Sequence, residues 1–203
     1  MTRIVSGVSG GRTLTVPKGA TRPTSERVRE ALFSRLDHRG VVDGARVLDL
    51  YAGSGALGLE AASRGAASVT LVDSAKPAVA ACRSNVAALG MRETAVVVGG
   101  TARGYLMGAP STAYDLVLID PPYDVTEAEI GDVLSALTAW LAPDAVVVVE
   151  RSRRSPEPTW PPALERTDER RYGDTTLWFA STVPGEEAVT VTDMGERAAG
   201  EQR

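Results

Sequence analysis

The chain has 203 residues, a net charge of −4, one cysteine and one histidine. That length suits one well-filled core with small additions, and a single cysteine excludes an internal disulfide framework. No Cys/His cluster has metal-ligand spacing, so no metal is expected; a mildly acidic balance argues against indiscriminate polyanion binding.

The charge is uneven along the chain. Residues 1–40 hold eight Lys and Arg against three Asp and Glu, a local excess of five that marks a candidate phosphate-contacting surface. No signal-peptide pattern opens the sequence and no segment has the length of a membrane span, so a cytoplasmic, monomeric protein without a membrane partner is expected. Three regions follow: an N-terminal hairpin and helix over 1–40, a main domain over 41–182, and an acidic tail over 183–203 with little to bury, expected to be mobile.

Two short β-patterned runs, 3–8 and 12–16, flank Ser9-Gly10-Gly11 and predict a hairpin ended by Pro17 and Gly19. Thr24 is placed to cap a helix running to about residue 36, with Val28, Ala31, Leu32 and Leu36 on one face. Arg27, Arg29, Glu30 and Arg35 fall on the other. Together with Arg12, Lys18 and Arg22 just upstream, this outer face is a candidate phosphate contact.

The most informative stretch begins at Arg46. An apolar strand over 47–50 runs into Ala52-Gly53-Ser54-Gly55, and a helical composition starts at Ala56. Glycines admit a ligand where a Cβ would collide, and a helix start presents unpaired N–H groups. The spacing Gly53-x-Gly55-x-x-Gly58 also fits a dinucleotide fingerprint, which leaves an NAD-dependent oxidoreductase open as an alternative class. Asp49 points elsewhere. A carboxylate there would repel a pyrophosphate but suits the sulfonium and ammonium of S-adenosylmethionine.

Regular alternation follows: helix 56–64 stopped by Gly65, strand 68–72, helix 76–89 stopped by Gly90, strand 95–98, strand 114–119, a helix over 126–141 whose Thr126 and Glu129 have capping-box spacing, and strand 145–149. Apolar strands alternating with helices mean a parallel sheet covered on both faces. After Arg151 the pattern changes. Four prolines between 156 and 162 mark a loop, and runs 164–171 and 175–181 around Tyr172-Gly173-Asp174 predict a closing antiparallel hairpin.

Ligands of such sheets bind at the carboxyl ends of the strands. Asp73, 24 residues after Asp49, is placed to accept ribose hydroxyls, with Ser74 beside it. Thr101 and Ala102 follow the third strand, where an adenine would lie. The fourth strand ends in Asp120-Pro121-Pro122-Tyr123. Two prolines remove two N–H donors and leave the Asp120 carboxylate and the Pro121 carbonyl as neighbouring acceptors, while Tyr123 supplies a flat face. Two acceptors and a ring can hold an exocyclic amine of a nucleobase with its nitrogen turned toward an electrophilic methyl. The ring itself is not identified by this tetrapeptide: guanine N2, adenine N6 and cytosine N4 all fit. Cys82, among Ala80, Ala81 and Val86, is expected as a small buried helix residue, and His38 as a helix-end residue.

Asp49-Leu-Tyr-Ala-Gly-Ser-Gly, Asp120-Pro-Pro-Tyr and the run from Arg22 to Phe33 resemble the bacterial 16S ribosomal RNA guanine-N2 methyltransferases of the RsmD type, over residues 1 to about 182. The first two motifs are shared by many S-adenosylmethionine-dependent amino-methyltransferases; the third narrows the likeness to this family. The resemblance implies a Rossmann-like class I methyltransferase sheet of seven strands, mostly parallel, with helices on both faces. It implies a guanine of 16S rRNA in the small ribosomal subunit, or in its assembly intermediate, as substrate. It assigns Asp49, Tyr51, Ala52, Gly53, Ser54, Gly55, Leu57, Gly58, Asp73, Ser74, Thr101 and Ala102 to the cofactor, Asp120 to Tyr123 to catalysis, and Arg22, Thr24, Arg27 and Arg29 to the entrance. Gly100-Thr101-Ala102 departs from the acidic or Asn residue that many relatives place near the adenine.

Overall fold

A computed structural model describes residues 2–17 and 25–183. Lys18, Arg22, Thr24 and the acidic tail from 184 lie outside the described residues. The hairpin is present but short: β1 (Thr2–Arg3) pairs antiparallel with β2 (Thr13–Leu14). Helix α1 covers Glu26–His38, and its N-cap is Ser25, whose hydroxyl accepts the Val28 N–H at 3.3 Å. The cap predicted at Thr24 is therefore one residue early; in a Thr-Ser pair either hydroxyl suits the role, and the helix register decides.

The remaining elements are β3 (Arg46–Leu50), α2 (Ala56–Ser63), β4 (Ser68–Asp73), α3 (Lys76–Leu89), β5 (Ala95–Gly99), α4 (Ala102–Leu106), β6 (Tyr114–Ile119), α5 (Glu127–Leu137), β7 (Leu141–Ser152), β8 (Leu164–Tyr172) and β9 (Thr175–Thr182). They form a seven-stranded sheet in the order β5-β4-β3-β6-β7-β9-β8. The first five strands in that order are parallel, and β9 runs antiparallel to both β7 and β8. This is the Rossmann-like α/β fold, with the order reversing between β3 and β6, where such sheets open a crevice.

Period-2 alternation divides the strand side chains between two cores. Val47, Leu71, Leu116, Val148 and Phe179 pack with α1, α2 and α3. Leu48, Val72, Val117, Val149 and Trp178 pack with α4 and α5. Cys82 is buried in the first core, as expected.

In the main domain the largest departures from the sequence pattern fall between α5 and β7, where the strand expected over 145–149 covers Leu141–Ser152. The helix predicted over 126–141 ends at Leu137, a 3₁₀ turn covers Thr138–Trp140, and β7 already begins at Leu141. Trp140 explains the break, because its indole N–H donates to the Leu106 carbonyl at 3.0 Å and is buried with the second core. The capping box at Thr126 and Glu129 is complete. The short helix α4 was not anticipated; its five residues are too few to show a periodicity.

Side chains fasten the hairpin to the main domain. The buried Glu60 carboxylate accepts the Val5 and Ser6 N–H groups at 2.6 and 3.0 Å, and Asn85 exchanges two bonds with the Thr15 backbone. The segment 15–17 is thereby held beside the loop that follows β3.

Candidate active site

The site is assembled from the carboxyl ends of adjacent strands. After β3 the chain passes through Tyr51, which carries a positive φ of 63°, and turns at Gly53 and Gly55, with φ of 59° and 79°. A non-glycine residue in the left-handed region costs of order 1–3 kcal/mol and persists only where its surroundings hold it. Those surroundings are specific. Gly53 N–H donates to Asp73 Oδ2 at 2.8 Å, Cys82 Sγ donates to the Gly53 carbonyl at 3.3 Å, and Asn85 donates to the Ser54 carbonyl at 2.8 Å. The loop is tied to β4 and α3 before any ligand arrives.

Gly58 lies one turn into α2. A Cβ there would lie 2.8 Å from Val69 Cγ1 and 3.1 Å from Asp49 Oδ2, with Leu71 Cδ2 closer still. Its role is helix-to-strand approach. It brings its N–H within 2.8 Å of Asp49 Oδ2, and the other Asp49 oxygen is buried with no hydrogen-bond partner among the described residues. Burial pushes the Asp49 carboxyl up to about 8; the Gly58 bond opposes the rise, and the neighbouring Asp120 and Asp73 charges add to it.

A cavity of about 410 Å³ opens over this loop. Asp49, Tyr51, Ala52, Gly53, Ser54, Leu57, Asp73 and Ser74 line it, and so do Asp120, Pro121, Pro122 and Tyr123 from the end of β6. The two motifs that stand 70 residues apart in sequence thus share one hollow. Asp73 holds the Gly53 and Ala75 N–H groups with its two oxygens, at 2.8 Å each. Tyr123 is 66% exposed at the rim.

Several assignments fall elsewhere. Thr101 does not line the cavity: it caps α4, its hydroxyl accepting the Gly104 N–H at 3.0 Å, and Ala102 is buried against the second core. Gly55 and Gly58 shape the loop from behind without lining the cavity. Arg12 is engaged at the end of α3, where its Nη groups donate to the Ala88 and Leu89 carbonyls, a favourable place for a cation.

Arg29 corrects the reading of α1. It is fully buried, not on the outer face, and donates to the Arg3 carbonyl at 2.6 Å and the Ala56 carbonyl at 3.5 Å. Its Nε has no partner among the described residues, burial lowers its pKa, and it lines the cavity near Leu57. Helical period alone places Arg29 next to Val28 at the edge of the apolar stripe; the hairpin covers that edge.

Four walls escaped notice in the sequence: Val16 and Pro17 after the hairpin, Glu150 and Arg151 at the end of β7, Ser155, and Thr175 at the start of β9. The charged pair closing an apolar strand at 150–151 was a usable signal, because strand ends face the crevice. Arg151 donates to the Val125 carbonyl at 2.9 Å and to Glu127 at 2.5 Å, fixing the segment after Tyr123.

Comparison with known proteins agrees with this architecture. The model of the family described as conserved hypothetical protein 95 matches residues 2–181. Ribosomal RNA small subunit methyltransferase D of Escherichia coli K12 is 39% identical over 160 residues, covering 78% of this chain and 79% of that protein. The protein of the same name from Haemophilus influenzae is 34% identical over 157 residues, covering 76% and 80%. Among solved structures, the candidate methyltransferase yhhF of Escherichia coli superposes with a TM-score of 0.79 at 33% identity, covering 89% of this chain and 97% of that one.

Proposed function

The chain belongs to the conserved hypothetical protein 95 family, the RsmD group of ribosomal RNA methyltransferases, and on that premise we propose its reaction: methyl transfer from S-adenosylmethionine to the exocyclic N2 amine of a guanine in 16S rRNA. The observation that carries the proposal is the shared cavity, in which Asp120 to Tyr123 and the Gly53 loop line one hollow. Family membership removes the NAD-dependent oxidoreductase alternative.

The cavity suits a cationic cofactor. Asp49 offers a buried oxygen without a partner among the described residues, and Asp73 lines the same space, so a pyrophosphate would meet two acidic groups where an ammonium or sulfonium is stabilised. Asp49, Gly53, Ser54, Leu57, Asp73 and Ser74 would hold it. Bound S-adenosylmethionine supplies an electrophilic methyl.

The protein's own groups do the positioning. The target guanine leaves its stack at a cost of about a few kcal/mol and lies against Tyr123. The Asp120 carboxylate and the Pro121 carbonyl accept the two amino hydrogens, which turns the nitrogen lone pair out of conjugation and toward the cofactor side of the cavity. Pro121 and Pro122 offer no competing N–H. No strong base is needed, because the aromatic amine becomes acidic only as it gains its new bond, beside a carboxylate already in place.

The substrate is the small ribosomal subunit or its assembly intermediate, which sets the site of action in the cytoplasm. Arg27, exposed on the first turn of α1, serves as a phosphate contact, and the basic residues of 18–24 extend that role. Among the described residues no helix is long and apolar enough to cross a membrane. Incubating the protein with unmodified small subunits and labelled S-adenosylmethionine, followed by nucleoside analysis, tests the proposal. N2-methylguanosine is expected; a methylated adenosine or cytidine would transfer the chemistry to a different ring, and absence of label from every nucleoside would reject it.

A further inference from the structure

A second cavity, of about 400 Å³, adjoins the first. The two share Tyr123, Glu150 and Thr175 as walls, so the second begins where the first ends. Its far side is built by Ser25, Arg27 and Val28 of the α1 start and by Arg171, Tyr172, Gly173 and Asp174 of the β8–β9 turn. Apart from the shared wall at Tyr123, the methyl-transfer chemistry does not use it.

A guanine entering the first cavity remains joined to its RNA chain, and the next nucleotide must leave past the rim where Tyr123 stands. The second cavity has the contents such a nucleotide needs. Arg27 from the α1 start and Arg171 from the end of β8 are exposed guanidiniums lining this cavity, and planar guanidiniums match phosphate oxygens in pairs. Arg171 meets Glu169 through its Nε, a contact that does not use its Nη groups. Tyr123 and Tyr172 offer two aromatic faces, and unstacked bases settle on such faces at about 1–3 kcal/mol each. Glu150, steadied by the Thr175 hydroxyl at 3.4 Å, and Asp174 are acceptors for a ribose 2′-hydroxyl or an exocyclic amine. The volume lies within the roughly 300–1,000 Å³ of small-ligand sites.

On the premise of an RNA substrate stated above, we infer that this second cavity is a subsite for the nucleotide flanking the target guanosine, its phosphate gripped between Arg27 and Arg171. The β8–β9 turn is then an RNA-reading element as well as the closing hairpin of the sheet. Positive charge on these two residues matters for holding the strand and not for holding the cofactor.

The test uses the full chain and unmodified small ribosomal subunits. Arg27→Gln and Arg171→Gln, singly and together, are compared with Arg83→Gln, an exposed arginine on α3 that lines neither cavity. The double variant is expected to raise KM for subunits by at least about tenfold with kcat changed less than threefold. It should also lose about 0.7 from the slope of log affinity against log salt, the share of one single-strand phosphate. S-adenosylhomocysteine affinity should stay at the wild-type value, and Arg27→Lys with Arg171→Lys should recover most of the salt slope. A double variant whose KM and salt slope equal those of Arg83→Gln overturns the subsite while leaving the methyltransferase reading intact. A wild-type protein that fails to methylate subunits at all overturns both.

Discussion

Asp49 Oδ2 accepts the Gly58 N–H at 2.8 Å, joining the end of β3 to the first turn of α2 beneath the Gly53 loop. The other oxygen of the same carboxylate is buried and unpaired among the described residues. One half of the group holds the scaffold; the other is the oxygen we propose for the cofactor's cationic end.

Stability should record this arrangement. Burial raises the Asp49 carboxyl from 3.8 to about 8, so the folded ligand-free protein favours the protonated acid. A folded-state pKa above the unfolded value means that the contribution is whole below about pH 4 and is lost as pH rises through 8. In Asp49→Asn, whose amide oxygen can still accept the Gly58 N–H, that loss is absent. Thermal melts without ligand should therefore show the variant gaining on wild type from pH 5 to pH 8, with the gap level above about pH 9. The same variant should bind S-adenosylhomocysteine at least about tenfold more weakly; a constant gap in Tm across this range would mean that Asp49 is ionised throughout.

Asp120→Ala should lower kcat on small subunits by about 100-fold or more, the scale of losing one positioned hydrogen-bonding group at a reacting centre. Calorimetric affinity for S-adenosylhomocysteine should change less than about twofold. Equal losses in both would make Asp120 a cofactor ligand instead.

Arg29 and Arg27 are two residues apart and should behave oppositely. Arg29→Gln removes a fully buried guanidinium and its bonds to the Arg3 and Ala56 carbonyls, costing about 1–3 kcal/mol and several degrees in Tm, with the RNA salt slope unchanged. Arg27→Gln should leave Tm within about a degree and reduce the slope. Differential scanning fluorimetry and filter binding over a salt series separate the two.

Gly58→Ala tests the approach of α2 to the sheet. The added Cβ meets Leu71, Val69 and Asp49 side chains, and overpacking of that kind costs about 1–3 kcal/mol. Because the displaced turn carries the Asp49 bond, cofactor affinity should fall with stability, measurable by urea unfolding and calorimetry on one preparation.

Much of this was legible in the chain itself. Helix α3 and strand β6 have the bounds their patterns predicted, because an apolar period and a terminal glycine at residue 90 are local signals. Glycine at 53 with Asp49 before it, and the tetrapeptide from Asp120, were readable for the same reason: each motif carries its chemistry within a few residues. What was not legible depended on partners far along the chain. Arg29 looks solvated until the Arg3 carbonyl is brought to it, and Trp140 ends a helix only because Leu106 is waiting.

Sequence alone therefore determined most of the alternation of elements, the glycine loop and the tetrapeptide at the end of β6. Tertiary structure decided that the two motifs face one hollow, that Thr101 stands outside it, and that Glu150, Arg151 and Thr175 help to enclose it. The physical reason is range: hydrogen-bond periodicity and backbone freedom act over a few residues, whereas a cavity wall is set by which strands lie side by side, and β3 and β6 became neighbours only through the crossing order of the sheet.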